Sequence, residues 1–139
     1  MLTRLLFGFS LMALCVVIHA AGLTAALRRI RNKWPLPSGF WPGTWLFILI
    51  AVWVVLLHLA EITVWAAAYT WNGAMPEMQS ALYFSAVTYT TTGYGDLVLP
   101  PYFRLDGGIE ALTGILMCGW STGFFFAIVN RFYDTRRSA

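Results

Sequence analysis

Thr88-Tyr89-Thr90-Thr91-Thr92-Gly93-Tyr94-Gly95-Asp96 closes a short apolar run that starts at Met78 and precedes a long one that begins near Gly107. Its two glycines can adopt φ > 0, which a β-branched residue almost never does. A segment that alternates ordinary residues with glycine can therefore turn successive carbonyl oxygens toward one side. One such strand alone does little. Four of them around an axis would stack rings of oxygen able to replace the water around a dehydrated cation.

Immediately upstream, Pro76-Glu77 suits a helix start, with proline in the first turn and an acid at the positive dipole end. The helix expected over 77–90 has about 14 residues, too short to cross a bilayer. A helix that enters without crossing is tolerated only where protein or a water-filled cavity shields its end. Its C-terminal carbonyls would present roughly half a negative charge there. Tyr83, Phe84 and Tyr89 read as packing around this end.

Downstream, Leu97 to Asp106 reads as a loop stiffened by Pro100 and Pro101, and a spanning helix is expected over 107–132. Asp106 and Glu110 suit its positive end and Arg131 its negative one. Trp120, Gly123, Phe124, Ala127, Ile128 and Arg131 recur at helical spacing and share a face. If that face lines a conduction path, Phe124 or Ile128 would form a hydrophobic constriction. Gly114, Gly119 and Gly123 each lower helix propensity by about 1 kcal/mol relative to alanine, which close helix packing would explain.

Composition agrees with a membrane setting. Of 139 residues, 59% are hydrophobic and 11% charged, against about 25% charged in an average soluble domain. So few charges do not cover a solvated surface, and the chain reads as one small membrane domain. Cys15 and Cys118 lie in apolar runs and read as small buried hydrophobes. Paired carboxylates, a Ser/His/Asp set, metal-ligand spacing in the sequence and a nucleotide-binding glycine loop are all missing, so an enzyme is not expected, nor a cofactor.

Leu5 to Leu27 is almost uncharged and, as a helix, about 35 Å long, enough to span. A signal peptide competes for this stretch, with Arg4 as its n-region and His19-Ala20-Ala21-Gly22 as a loose cleavage site. The run is longer than the ~7–15 residues of an h-region, however. Arg28, Arg29, Arg31 and Lys33 follow it, and Arg131, Arg136 and Arg137 follow the last apolar run; together they are seven of the nine basic residues. Positive charge marks the cytoplasmic side. The 28–34 loop and the C-terminus are therefore expected inside, with the N-terminus and Thr91–Asp96 outside. A cleaved signal peptide would invert this. The net charge of +3 reads as topology rather than nucleic-acid binding.

Trp34 to Gly43 is the expected connector, with Pro35, Pro37 and Pro42 forbidding a continuous helix and Trp34, Trp41 and Trp45 suited to a membrane interface. A second spanning helix is expected over 44–70, ending at Trp71-Asn72-Gly73. It carries His58 and Glu61 on one side at i, i+3 spacing. Ionisable groups inside a membrane helix are functional candidates by default. Glu61 is expected to be anchored by hydroxyls of the short or last helix, with pH sensing as the alternative, and His58 reads as structural.

With threonines before it, an aspartate after it and apolar segments on both sides, Thr88–Asp96 resembles the selectivity-filter signature of the potassium channel family. The likeness runs from Trp45 through the last helix. It implies an all-α membrane protein with three transmembrane helices plus a re-entrant pore helix and selectivity filter, assembled as a tetrameric pore. The pattern is that of a bacterial-type small subunit with one additional N-terminal helix. Residues 1–34 would be that helix and its basic loop. Residues 35–139 would be the pore domain, with outer helix 44–70, pore helix 77–90, filter 91–96 and inner helix 107–132.

The resemblance also implies roles. K⁺ would bind at the carbonyls of Thr91, Thr92, Gly93 and Tyr94, in an ion-binding segment that includes Gly95, with the Thr91 hydroxyl facing the cavity. Tyr94 would point backwards into aromatic packing, Asp96 would sit at the outer mouth, and Gly119 would be a gating hinge. K⁺ is then the permeating ion, the partners are lipid and three further copies of the chain, nucleic acid is not a partner, and the location is the plasma (inner) membrane.

Two departures stand out. The family usually has Val or Ile where this chain has Thr92, and a hydroxyl is not neutral in a packed place. Val87 stands where some relatives carry a carboxylate, which Glu61 could supply from the second helix. One chain supplies one filter strand, so a closed C₄ homotetramer is expected. The first helix has no arginine ladder of the voltage-sensing pattern. A passive K⁺-selective channel is the leading function. The alternatives are a non-selective cation channel on the same scaffold, a membrane subunit of a K⁺ uptake system, and a non-conducting scaffold.

Overall fold

A computed structural model describes residues 1–33 and 39–137. The expected connector residues Trp34, Pro35 and Pro37 lie outside the described residues. Every regular element among those described is helical: α1 (Leu2–Lys33), α2 (Phe40–Trp71), α3 (Met78–Tyr89) and α4 (Arg104–Arg137), with a 3₁₀ turn at Pro101–Phe103 leading into α4.

The boundaries correct the expectations in three places. The basic residues from Arg28 do not begin a loop, because α1 continues through Lys33. Arg and Lys are good helix formers, and cations suit a helix C-terminus. α2 begins at Phe40 rather than 44, with Pro42 in its first turn, where a missing N–H costs nothing. The presumed loop through Asp106 stops at Pro100. Pro101 opens the 3₁₀ turn, so Arg104 and Asp106 are helical.

Contacts along the chain give the directions. Arg4 pairs with Asp106, His19 lies against Ser121, and Leu23 and Ile30 share a cluster with Phe124 and Ile128. α1 and α4 are therefore parallel. α2 runs against both, with Glu61 beside His19, Trp53 donating to the Gly22 carbonyl (3.1 Å), and Leu46 and Ile50 in the cluster of Ile30. The start of α1, the end of α2, all of α3 and the start of α4 thus share one end of the bundle. The segment 91–98 lies at that end.

Three stretches are long and apolar enough to span a membrane: Leu2–Ile30, Phe40–Trp71 and Pro101–Tyr133. Only 22%, 22% and 33% of their most apolar windows are buried within the chain, so the apolar residues face outward as well as inward. Leu6, Phe9, Val52, Val55, Leu112, Ile115 and Phe126 are all more than half exposed. A surface of this kind is matched by lipid or by another protein, not by water. Between helices in lipid, apolar burial supplies little drive, and close packing and polar contacts supply more. The polar groups of this chain are accordingly drawn inward: His19, Glu61, Ser85, Asp106, Glu110 and Thr113 are fully buried.

Candidate functional site

The segment after α3 has an unusual backbone. Thr91, Gly93 and Gly95 have φ of 59°, 56° and 76°. Alternate residues are therefore left-handed, as the two glycines allow. Thr91 departs from expectation, since a β-branched residue here stores on the order of 1–3 kcal/mol of strain. Hydrogen bonds to the end of α3 hold it there. Thr91 N–H donates to the Thr88 carbonyl (2.9 Å), and Thr92 and Gly93 N–H both donate to the Val87 carbonyl (2.9 and 3.2 Å).

These bonds fix where the carbonyls go. In a trans peptide the C=O points opposite to the N–H of the same unit, and no peptide among the described residues is cis. With the amides of Thr91, Thr92 and Gly93 turned onto α3, the carbonyls of Thr90, Thr91 and Thr92 point away from it. The last carbonyls of α3 are therefore not bare, as expected from its sequence, but capped by this segment.

Side chains finish the segment. The Thr90 and Thr92 hydroxyls are 2.9 Å apart, and Thr90 also donates to the Ala86 carbonyl (2.7 Å). The Thr92 hydroxyl thus has a partner where an aliphatic residue would have none. Tyr83 donates to Asp96 Oδ2 (2.7 Å), tying the far end of the segment to the first half of α3. That bond holds the Asp96 carboxyl below its ordinary value and raises the Tyr83 phenol. Tyr94 does not enter the aromatic packing within the chain, as expected of it, but is 71% exposed.

Two buried glutamates brace α3 from behind. Glu61 of α2 accepts from the Tyr89 hydroxyl and lies 2.8 Å from His19 Nδ1. Glu110 of α4 accepts from the Tyr69 hydroxyl (2.6 Å) and from Ser85, whose hydroxyl also lies 2.9 Å from the Ile62 carbonyl. Glu61 is therefore joined to a hydroxyl of the short helix, and reaches that helix rather than the 91–96 backbone. Val87 contributes its carbonyl, not its side chain. Gly114 lies so close to the Tyr89 carbonyl that a Cβ there would collide with it.

The expected face of α4 is half corrected. Phe124 and Ile128 are 8% and 5% exposed and pack with α1 and α2, so they hold the helices of the chain together and do not form a constriction. The physical cause is α1, which covers the side of α4 to which these residues belong. Gly119, Gly123 and Ala127 lie on the exposed side, and a Cβ at Gly119 or Gly123 would meet nothing within 4 Å. Trp120 is 43% exposed, with its ring 5.5 Å from that of His19.

Sequence reasoning missed Arg4, His19 and Glu110 as structural centres. Arg4 is buried against Asp106, under the rings of Phe7, Tyr102 and Phe103 at 4.5–5.2 Å. Glu110 read as a dipole partner and is a brace. The default that an ionisable group inside a membrane run has a job would have found His19 and Glu110 had it been applied to them as it was to Glu61.

Three helices of spanning length, with a short fourth packed against α2 and α4 and outward-turned carbonyls at its end, define an integral membrane protein. The chain belongs to the ion channel family, whose sequence profile it matches over residues 44–131. The match takes in most of α2, all of α3 and most of α4, and leaves α1 outside. Neither a curated protein nor a solved structure matches the chain significantly. Family membership points to ion transport rather than enzymatic chemistry.

Proposed function

We propose that the chain forms a passive K⁺-selective channel, with four copies around a central axis and α3 as the pore helix of each. The observation that carries this reading is the backbone of Thr91–Gly95. Its left-handed φ at alternate residues and its amides turned onto α3 leave carbonyl oxygens free for a cation stripped of water. Thr91, Thr92, Gly93 and Tyr94 supply the K⁺ ligands, and Asp96, tethered by Tyr83, stands at the mouth. Glu61 and Glu110 brace the pore helix, and Gly119, Gly123 and Ala127 face the inner path. The basic residues at the ends of α1 and α4 support an N-terminus outside and a C-terminus in the cytoplasm, in the plasma (inner) membrane.

The test is the reversal potential of purified protein in a lipid bilayer under opposed K⁺ and Na⁺ gradients. A reversal near the K⁺ equilibrium potential is expected. Reversal near zero would instead make the protein a non-selective cation channel. Absence of current or of liposome flux would remove the channel reading in favour of a non-conducting subunit.

A further inference from the structure

The chain has two histidines, and the fold brings both to one carboxylate. His19 of α1, His58 of α2 and Glu61 of α2 each offer a ligand atom, and these atoms all lie within 4.8 Å of one another. His19 Nδ1 is 2.8 Å from Glu61 Oε1, and His58 Nδ1 is 3.7 Å from Glu61 Oε2. Ligands about 2.0–2.1 Å from a tetrahedral zinc ion stand roughly 3.3 Å apart, between those two distances.

The outer nitrogens of the two rings share one partner. His19 Nε2 and His58 Nε2 lie 3.0 and 3.1 Å from the same oxygen, Ser121 Oγ. A hydroxyl has one proton and two lone pairs, so it can accept from both rings. In the tautomer in which both Nε2 atoms donate to Ser121, the His19 Nδ1 lone pair is directed at Glu61, and His58 Nδ1 faces both Glu61 and the Tyr89 hydroxyl, which lies 3.1 Å away. A lone pair set 2.8 Å from a carboxylate oxygen needs positive charge between them, which a proton or a metal ion supplies. A metal-ligating histidine whose other nitrogen donates to a fixed partner has this form.

We propose that His19, His58 and Glu61 bind one divalent transition-metal ion of the zinc class, which clamps α1 to α2 behind the last turn of α3. Two imidazoles and one carboxylate suit zinc, copper or nickel, and do not suit the all-oxygen preference of calcium or magnesium. The His58 side chain remains 16% exposed, and Ser121 lines an open groove of about 480 Å³ between α2 and α4, so an ion has a way in. The ion competes with the Tyr89 hydroxyl for Glu61, and so acts on the residue where α3 ends.

The experiment is Co²⁺ and Zn²⁺ binding to the full chain in detergent after chelator treatment. One ion per chain is expected, with the visible absorption of tetrahedral Co²⁺, unaffected by millimolar Ca²⁺ or Mg²⁺. His19→Gln and His58→Gln should each weaken binding by at least about tenfold, and Cys118→Ser should not change it. Zinc-edge X-ray absorption on the unaltered chain gives a readout independent of any variant: two imidazole nitrogens and no sulfur in the first shell. No stoichiometric binding, a sulfur ligand, or binding indifferent to both histidines would overturn the proposal and leave a proton as the charge between His19 and Glu61.

Discussion

Thr92 and Asp96 show how much one hydroxyl or one proton can decide. The Thr92 hydroxyl is met by Thr90, which keeps its own bond to Ala86. Thr92→Val removes one neutral hydrogen bond, at a cost of about 1 kcal/mol or less, and leaves the backbone pattern intact. The expected result is a K⁺/Na⁺ permeability ratio equal to or above the parent's, read from bi-ionic reversal potentials; a lower ratio would make the hydroxyl part of selection. At Asp96, the bond from Tyr83 lowers the carboxyl's value below its ordinary 3.8. The tether is therefore complete above the ordinary value and is lost as pH falls through the lowered one. In Tyr83→Phe the transition should move up toward the ordinary value, which a titration of conductance on the Asp96 side would show.

The elements are joined by few but specific contacts. Arg4 ties the start of α1 to the start of α4 through Asp106, and both side chains are nearly or wholly buried. Arg4 Nε and Asp106 Oδ1 find no further partner among the described residues, so the pair has nothing to fall back on. Asp106→Asn is expected to destabilise the fold by about 3–5 kcal/mol, whereas replacing both residues with apolar ones of similar size should cost far less. Thermal unfolding followed by tryptophan fluorescence would separate the two. Gly114→Ala drives a methyl into the Tyr89 carbonyl and should cost on the order of 1–3 kcal/mol or more, while Gly119→Ala, in open space, should gain about 1 kcal/mol of helix propensity. Equal stability of the two variants would refute the packing role of Gly114. The existence of these helices was legible from apolar length. Their ends were less so, because Arg28 to Lys33 carry charge yet still favour helix, and because Pro101 begins a helix instead of excluding one.

As a whole molecule, the proposed channel needs more than one copy of the chain. Residues 91–98 are all exposed, and Tyr94, Leu112, Ile115 and Phe126 present large apolar surfaces outward. A carbonyl-lined segment open on one side cannot surround a cation, and symmetry closes it most simply with four copies. Mass measurement in lipid nanodiscs should give four copies of the 15.6-kDa chain; a conducting monomer or dimer would refute the arrangement. The match to the ion channel family covers α2 to α4, yet α1 is no loose appendage. It covers Phe124 and Ile128 and delivers Arg4 and His19 to the core.

Sequence alone determined that the chain is a helical membrane protein and that a glycine-punctuated segment, Thr91–Asp96, follows its short helix. Those properties depend on apolar length, charge scarcity and local glycine placement, all of which are written in neighbouring residues. Only the tertiary structure decided which face of α4 is covered, that Thr91 joins the glycines in the left-handed region, and that His19 meets His58 and Glu61. The first and last of these depend on residues far apart in the chain: 102 positions separate Arg4 from Asp106 and His19 from Ser121, and 42 separate His19 from Glu61. Helical periodicity tells which residues share a face, but not which helix lies against it.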